Sequence, residues 1–348
     1  MKKRLYYKVA LLFFIALITG ISVIGIKTYN KVYKPNVLVA DSTAKYLKIP
    51  TGSDFNDVID IIKKEGILEN PDSFVWLAKK KNYPNHVYPG RYRLVHEMNN
   101  NEIINRLRSG YQEPVKVIFN SIRTKEHLAG RVSKQIEADS LTLVQVFNND
   151  SIINSYDFTP ETFTCIFLPN TYEFWWNTTA TGFVERMYKE YQKFWNDERL
   201  AKANALNLTP EDVITLASIV DEETLYNDEM TKIAGVYINR LRRRMHLQAD
   251  PTLKFALGDF TIKRVLTEHK KINSPYNTYT RYGLPPGPIS IPSIAAIESI
   301  LNYEDHNYLY FCAKPDFSGY HNFATTLSQH NINARAYQQA LNKEKIWR

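Results

Sequence analysis

The chain has 348 residues, of which 44% are hydrophobic and 23% are charged, as in an ordinary globular protein with room for two or three domains. Its formal net charge is +8, but seven of the positive charges lie in the first 34 residues, which contain no acidic residue. The rest of the chain is therefore close to neutral, and no basic surface for nucleic acids is expected on the folded part.

A long apolar segment near the N-terminus predicts a membrane anchor. Residues 9–26 are uncharged and mostly apolar, and as a helix they span about 27 Å, enough to cross a bilayer core. A cleavable signal peptide is the alternative, but no small-x-small cleavage pattern follows directly. We predict a cytoplasmic tail (1–8), a transmembrane anchor (9–26) and a linker (27–45). The remaining chain is expected on the extracytoplasmic side of the cytoplasmic membrane.

Residues 46–114 are predicted to form a small β-α-α-β unit. Its strands are expected at 46–49 and 90–95, with two amphipathic helices between them and a short helix at 101–107. A module with this order is similar to LysM domains, which bind cell-wall glycans.

Residues 115–348 are predicted to form a larger, mixed α/β domain, so that the fold class is α+β. Strands are expected at 115–119 and 309–313, and helices at 125–138, 141–147 and 181–200. The aromatic stretch 167–176 is typical of a loop and strand, or of a hydrophobic plug between domains.

The stretch 209–224, TPEDVITLASIVDEET, predicts a helix that begins at a Thr-Pro pair and ends on three acids. Its apolar stripe continues onto the position of Glu223, so a carboxylate stands where the pattern asks for a hydrophobe. The helix end could be a solvated acidic turn. Alternatively, Glu223 lies half-buried in a cleft, where desolvation would raise its pKa and suit it to proton transfer.

The elements after this helix carry polar and aromatic residues suited to a binding rim. Asn227 is expected to cap another helix, whose end, Arg240 to Arg244, is expected to be solvated. Pro251 disfavours helix at Asp250. The Pro- and Gly-rich segment 274–288 predicts a loop.

No nucleotide-binding, metalloprotease or serine-hydrolase motif is present, and we expect neither a cofactor nor a metal. The histidines His246, His321 and His330 fit structural positions better than metal ligands. The two cysteines, Cys165 and Cys312, are expected to be buried thiols, although a disulfide is the alternative. What remains is a carboxylate with amides, hydroxyls and aromatics, which suits acid/base chemistry on a neutral polyhydroxylated substrate.

Six segments in order resemble the endolytic murein transglycosylase (YceG-like) family: residues 218–224 (SIVDEET), 238–241 (INRL), 247–252 (LQADPT), 276–279 (YNTY), 283–287 (GLPPG) and 321–323 (HNF). The resemblance implies an enzyme that cleaves the β-1,4 bond after N-acetylmuramic acid in nascent peptidoglycan strands and leaves a 1,6-anhydro end. It also implies glycan strands, the membrane and peptidoglycan synthases as partners.

The resemblance assigns Glu223 as the single catalytic acid and base. Gln248, Asp250 and Asn277 would orient the muramic acid, and His321 would contact substrate. Tyr276 and Tyr279 would flank the glycan, or pack beneath their loop. This chain departs from the family pattern in having Asp221, Ala249, Asn322 and Ala324 where the family has glutamate, threonine, threonine and asparagine.

Two other functions are compatible with the residues. One is a peptidoglycan hydrolase with Glu223 as acid and Asp250 as base or nucleophile, since hydrolytic glycosidases use two carboxylates. The other is a non-catalytic cell-wall-binding scaffold that relies on the LysM-like unit.

Overall fold

The computed structural model describes residues 2–39, 44–262 and 265–344. The chain divides into two compact units. The N-terminal unit comprises Met1–Lys116, Gln135–Glu137 and Glu173–Thr178, and the C-terminal unit comprises Val117–Lys134, Ala138–Tyr172 and Thr179–Arg348.

The N-terminal segment is a single helix, α1 (Lys2–Tyr33), whose apolar side chains are exposed. Its length and hydropathy over Arg4–Tyr33 make it a candidate membrane span. The predicted linker is wrong for residues 27–39. The helix continues to Tyr33, close to Pro35, because no earlier proline or glycine follows Lys27. Residues 34–39 then pack on the N-terminal unit through bridges from Pro35 and Val37. Residues 40–43 of the predicted linker lie outside the described residues.

The rest of the N-terminal unit has the predicted order of elements. These are β1 (Ala44–Ile49), α2 (Phe55–Glu65), α3 (Pro71–Lys80), β2 (Gly90–Val95) and α4 (Asn100–Ser109). The strands are antiparallel, with Leu47 opposite Tyr92. Side-chain caps from Asp54, Asn70 and Asn99 begin the three helices.

Short elements follow, of which β3 and β4 each lie partly in both units. They are β3 (Val115–Phe119), α5 (Lys125–Val132), α6 (Ser140–Phe147), α7 (Asp150–Ser155), β4 (Asn170–Phe174), α8 (Ala180–Phe194) and α9 (Asp197–Ala205). β3 and β4 form a two-stranded sheet. Two predicted helices were too long. The first ends at Val132, and the second breaks after Phe194 because Asn196 caps a new helix.

The second half of the C-terminal unit is built around α10 (Pro210–Glu223). It continues with α11 (Asn227–Arg242), α12 (Asp250–Leu257), α13 (Ile294–Leu301), β5 (Tyr310–Ala313), β6 (His321–Ala324) and α14 (Leu327–Lys343). α10 packs against α11 and α13, and all residues from 213 to 220 are buried. β5 and β6 are antiparallel, which places Ala313 opposite His321.

Some local expectations for this half differ from the structure. Asn227 is the first residue of α11 rather than its cap, and the preceding Tyr226 provides no side-chain cap. Helix α12 begins at Asp250 despite Pro251, because a proline in the first turn needs no intrahelical N–H bond. Both cysteines are free thiols; Cys165 is buried and Cys312 is partly exposed.

Candidate active site

The C-terminal end of α10 is held firmly by its surroundings. A capping box between Thr209 and Asp212 begins the helix, as the Thr-Pro pair predicted. After Glu223 the chain turns to an extended conformation at Thr224, whose buried hydroxyl donates to Glu229 (3.3 Å). The acids at this end therefore have fixed positions, and the end is not a fraying turn.

The three acids at the end of α10 have three different environments. Asp221 accepts hydrogen bonds from the hydroxyls of Ser121 (3.0 Å) and Ser293 (2.5 Å), which joins α10 to the start of α13. Glu222 forms a two-bond pair with Arg123 (3.2 and 3.0 Å). Those partners offset the unfavourable negative charge at a helix C-terminus. The third acid, Glu223, lines a cavity.

This cavity, called here the Glu223 cavity, has a volume of about 450 Å³ and is formed by α11, α12, the 274–288 loop, β5, β6 and α14. Four residues expected at the site line it: Gln248, Asp250, Tyr279 and His321. It also contains Tyr237, Arg240, Lys270, Tyr310 and His330. Its wall thus combines one partly buried carboxyl group with many hydrogen-bonding and aromatic side chains.

The carboxyl group of Glu223 is set up for proton exchange near neutral pH. Burial disfavours its charged form and raises the pKa of Glu223 to about 7. A hydrogen bond from the Tyr237 hydroxyl to Oε1 (2.6 Å) opposes this rise by stabilising the carboxylate. The nearby charge of Asp250 raises the pKa further, whereas Lys254 and Arg240 lower it. A group with this pKa can both donate and accept a proton under physiological conditions.

Asp250 and Gln248 are held at the cavity by the loop that contains Thr278 and Tyr279. The Tyr279 hydroxyl donates to Asp250 Oδ1 (2.5 Å), and Lys270 Nζ lies 4.4 Å from the centre of the Tyr279 ring. Gln248 has a left-handed backbone (φ 52°), and its N–H donates to the carbonyl of Thr278 (3.0 Å). This backbone pairing lets Gln248 and Asp250 both reach the cavity on either side of a buried Ala249.

A buried glutamate orients His321. Glu229, only 6% exposed, accepts from the backbone N–H of His321 (2.8 Å) and pairs with Nδ1 of its ring (2.7 Å). The same carboxylate receives the hydroxyl of Thr224, the residue that follows Glu223. With Nδ1 engaged in this way, the remaining ring nitrogen, Nε2, is left for other partners.

Arg240 corrects part of the prediction of a solvated helix end: Arg242 to Arg244 are exposed, but Arg240 is buried. It is only 7% exposed, and its guanidinium donates to the carbonyls of Leu309 (2.6 Å) and Leu247 (2.8 Å) and more weakly to Gln248 Oε1 (3.4 Å). The five donors of a guanidinium can satisfy several backbone acceptors at once, which makes its burial tolerable. Arg240 thereby ties α11 to β5 and to the segment that contains Gln248.

The structure does not bring two expected site residues to the Glu223 cavity. Asn277 is fully buried, its amide donates to the carbonyls of Lys270 (3.0 Å) and Ile272 (2.8 Å), and its Oδ1 accepts from the N–H of Tyr279 (3.0 Å). It braces the loop, so the expected direct contact with substrate does not fit its position. Tyr276 packs on Phe255 and lines a different cavity.

Three site residues were missed from the sequence: Tyr237, Glu229 and Arg240. Tyr237 lies on an apolar stripe of α11, a position typical of a core residue. Arg240 lies three residues further on the same face, so the stripe itself carried a signal that this arginine is buried. Glu229 had no local signal, because its partner is 92 residues away.

Comparisons with known proteins agree with each other. The sequence model of the YceG-like family matches residues 47–336. The chain is 28% identical to an endolytic murein transglycosylase of Bacillus subtilis (strain 168), over 92% of each protein. It is 26% identical to an endolytic murein transglycosylase of Streptococcus pneumoniae serotype 2, over 88% of this chain but only 61% of that longer relative. A crystal structure of a yceG-like protein from Listeria monocytogenes is similar, with a TM-score of 0.54 and 27% identity over 83% of this chain and 98% of that one.

Proposed function

The chain belongs to the YceG-like family, and we propose that it is a lytic transglycosylase that cuts peptidoglycan glycan strands internally, with Glu223 as its general acid and base. The names of its relatives support the reaction class. The observation that carries the residue assignment is the partly buried Glu223 carboxyl, with a pKa of about 7, in a cavity rich in hydrogen-bonding groups.

The proposed reaction needs one carboxyl group in two protonation states. Protonated Glu223 gives its proton to the oxygen of the β-1,4 bond between N-acetylmuramic acid and N-acetylglucosamine, and the C1–O bond breaks. The carboxylate then takes the proton of the 6-hydroxyl group of the same muramic acid, whose oxygen bonds to C1. The products are a 1,6-anhydro end and a free N-acetylglucosamine hydroxyl, and Glu223 is protonated again.

Several neighbouring groups are proposed to assist. The negative charge of Asp250 would stabilise positive charge that develops at the anomeric carbon. Gln248, Tyr279 and His321 line the same cavity and would hold hydroxyl or acetamido groups of the sugar. Tyr237 would keep the Glu223 carboxyl in one orientation.

Asp250 also gives a specific reason to keep a second candidate, a two-carboxylate peptidoglycan hydrolase. It lines the same cavity as Glu223 and interacts with it electrostatically. A retaining or inverting hydrolase would use Asp250 as nucleophile or base. Its product would carry a reducing muramic acid end rather than an anhydro end.

The N-terminal unit is proposed to bring the enzyme to its substrate. Helix α1 would anchor the chain in the cytoplasmic membrane with its N-terminus inside and the catalytic unit outside. The β1–α2–α3–β2 module would bind glycan strands in the manner of LysM domains. This arrangement would place the cavity near newly made strands and their synthases.

Product analysis tests the proposal. The full chain in detergent is incubated with un-crosslinked glycan strands, and fragments are identified by mass spectrometry. We expect anhydro-ended fragments from the unmodified protein, none from Glu223→Gln, and an unchanged yield from Glu198→Gln, an exposed glutamate of α9. Reducing ends would identify the hydrolase. If Glu223→Gln cuts as well, Glu223 is not the acid; if neither protein cuts, a scaffold role is favoured.

A further inference from the structure

A second cavity of the C-terminal unit contains Tyr276, the expected site tyrosine that does not line the Glu223 cavity. This aromatic cavity, of about 470 Å³, lies among Arg123, Lys125, Glu161, Phe255, Tyr276 and Ser290. None of the described residues that line it also lines the Glu223 cavity. It is therefore a separate binding space.

One wall of the aromatic cavity is a pair of rings. Phe255 and Tyr276 have ring centres 4.6 Å apart at an angle of 50°, and both rings are partly exposed. Exposed aromatic faces offer a large apolar contact at little conformational cost. The C–H faces of pyranose rings provide a matching surface.

Ser290 supplies an unused hydrogen-bonding group. It is only 5% exposed, and its hydroxyl has no hydrogen-bond partner among the described residues. A buried hydroxyl without a partner is unfavourable, and native proteins contain few of them. The oxygen itself is covered, so the Ser290 side chain must rotate about χ1 before a hydroxyl or amide group of a ligand can bond to it.

The charges around the cavity are balanced, which points to an uncharged ligand. Arg123 is already paired with Glu222. Lys125 donates to two neutral acceptors, Asn148 Oδ1 (3.4 Å) and the carbonyl of Pro160 (3.1 Å). Its ammonium group also interacts electrostatically with the carboxylate of Glu161. No excess of positive charge is left to select a phosphate or a carboxylate.

The two cavities are linked by the elements that line them. Helix α12 begins with Asp250 in the Glu223 cavity and carries Phe255 in the aromatic cavity, about 7.5 Å further along its axis. The loop connects them again, since Tyr279 lines the first cavity and Tyr276 the second.

We propose that the aromatic cavity is a remote sugar subsite, which binds an N-acetylglucosamine unit of the same strand that is cut at Glu223. This inference rests on the proposed function and deepens it. It explains the position of Tyr276, and it makes cleavage depend on strand length, because only longer strands reach both cavities.

Binding and cleavage are measured with peptide-free glycan strands in a short set and a long set. Binding uses the full chain with Glu223→Gln, so that it does not depend on turnover. We expect the added Tyr276→Ala change to weaken binding of long strands about tenfold, as for the loss of one aromatic contact, and to leave short strands unaffected. In the active protein, kcat/KM should change in the same length-dependent way. Tyr282→Ala is the matched control, since Tyr282 is 69% exposed and stacks on His246.

Ser290→Ala removes a single oxygen and so preserves the fold, and it should weaken binding of long strands selectively as well. Equal losses on short and long strands, or no loss with either variant, would overturn the inference. A protein that binds long strands through Tyr276 but cuts nothing would support the subsite while contradicting the proposed reaction.

Discussion

The raised pKa of Glu223 predicts a stability cost that its removal should relieve. The folded value of about 7 lies above the value of 4.5 for a solvated glutamate. Since one pKa unit corresponds to 1.36 kcal/mol, ionising this buried group opposes folding by up to about 3 kcal/mol. The unmodified protein should therefore be most stable below about pH 4.5 with respect to this group, and should lose that stability as the pH rises to about 7 and beyond.

Glu223→Gln replaces the ionisable group by a neutral one of the same shape that can still accept from Tyr237. We expect the variant and the unmodified protein to have similar free energies of unfolding at about pH 5. At about pH 8.5 the variant should be more stable by about 2–3 kcal/mol. The assay is urea unfolding of the full chain in detergent, followed by hydrogen exchange of peptides from α10 and α11, which reports on the C-terminal unit alone.

Glu198→Gln serves as the control, because Glu198 is exposed and its partner is Lys202. The change in its free energy of unfolding between the two pH values should be nearly the same as in the unmodified protein. If Glu223→Gln and the unmodified protein lose equal stability between the two pH values, Glu223 does not have the raised pKa, and its assignment as the acid loses its physical basis.

Three further substitutions test how the cavity sets the chemistry of Glu223. Tyr237→Phe removes the hydrogen bond that favours the carboxylate, so the pKa of Glu223 should rise and the pH–rate profile should move to higher pH by about one unit. An unchanged profile would mean that this hydrogen bond does not stabilise the carboxylate. Asp250→Asn removes a neighbouring negative charge, so the alkaline limb of the profile should move to lower pH, and remaining products should keep anhydro ends. Glu229→Gln places an amide donor opposite His321 Nδ1, and we expect kcat/KM to fall about tenfold with the pH optimum unchanged; a shifted optimum would mean that Glu229 acts on the acid itself.

Much of the local structure could be predicted from the sequence. The bounds of β2 and β3 match the prediction, and α10 begins and ends where its cap residues and apolar stripe indicate. These features depend on caps, periodicity and β-propensity over a few neighbouring residues. Helix α12 was missed because proline was taken as a breaker, and α13 because its eight residues follow a Pro-rich loop.

The chemistry of the site divides in the same way. The stripe of α10 by itself indicated that Glu223 stands on a buried face, and resemblance supplied its neighbours Gln248, Asp250 and His321. Periodicity states which face of a helix is covered, but not what covers it. It therefore could not tell that β5 is the element that covers Arg240.

Only the tertiary structure decided the partners. Glu229 and His321 are 92 residues apart, and Asp221 and Ser293 are 72 residues apart, so no local pattern relates them. The adjacent residues Tyr276 and Asn277 have different environments for the same reason. Tyr276 packs on Phe255 in a second cavity, and Asn277 forms hydrogen bonds inside its own loop. The sequence determined which segments become helices and strands and placed a carboxyl group on a buried face, because those outcomes depend on near neighbours. The environment of that group, including its pKa, depends on long-range packing, and the folded chain alone sets it.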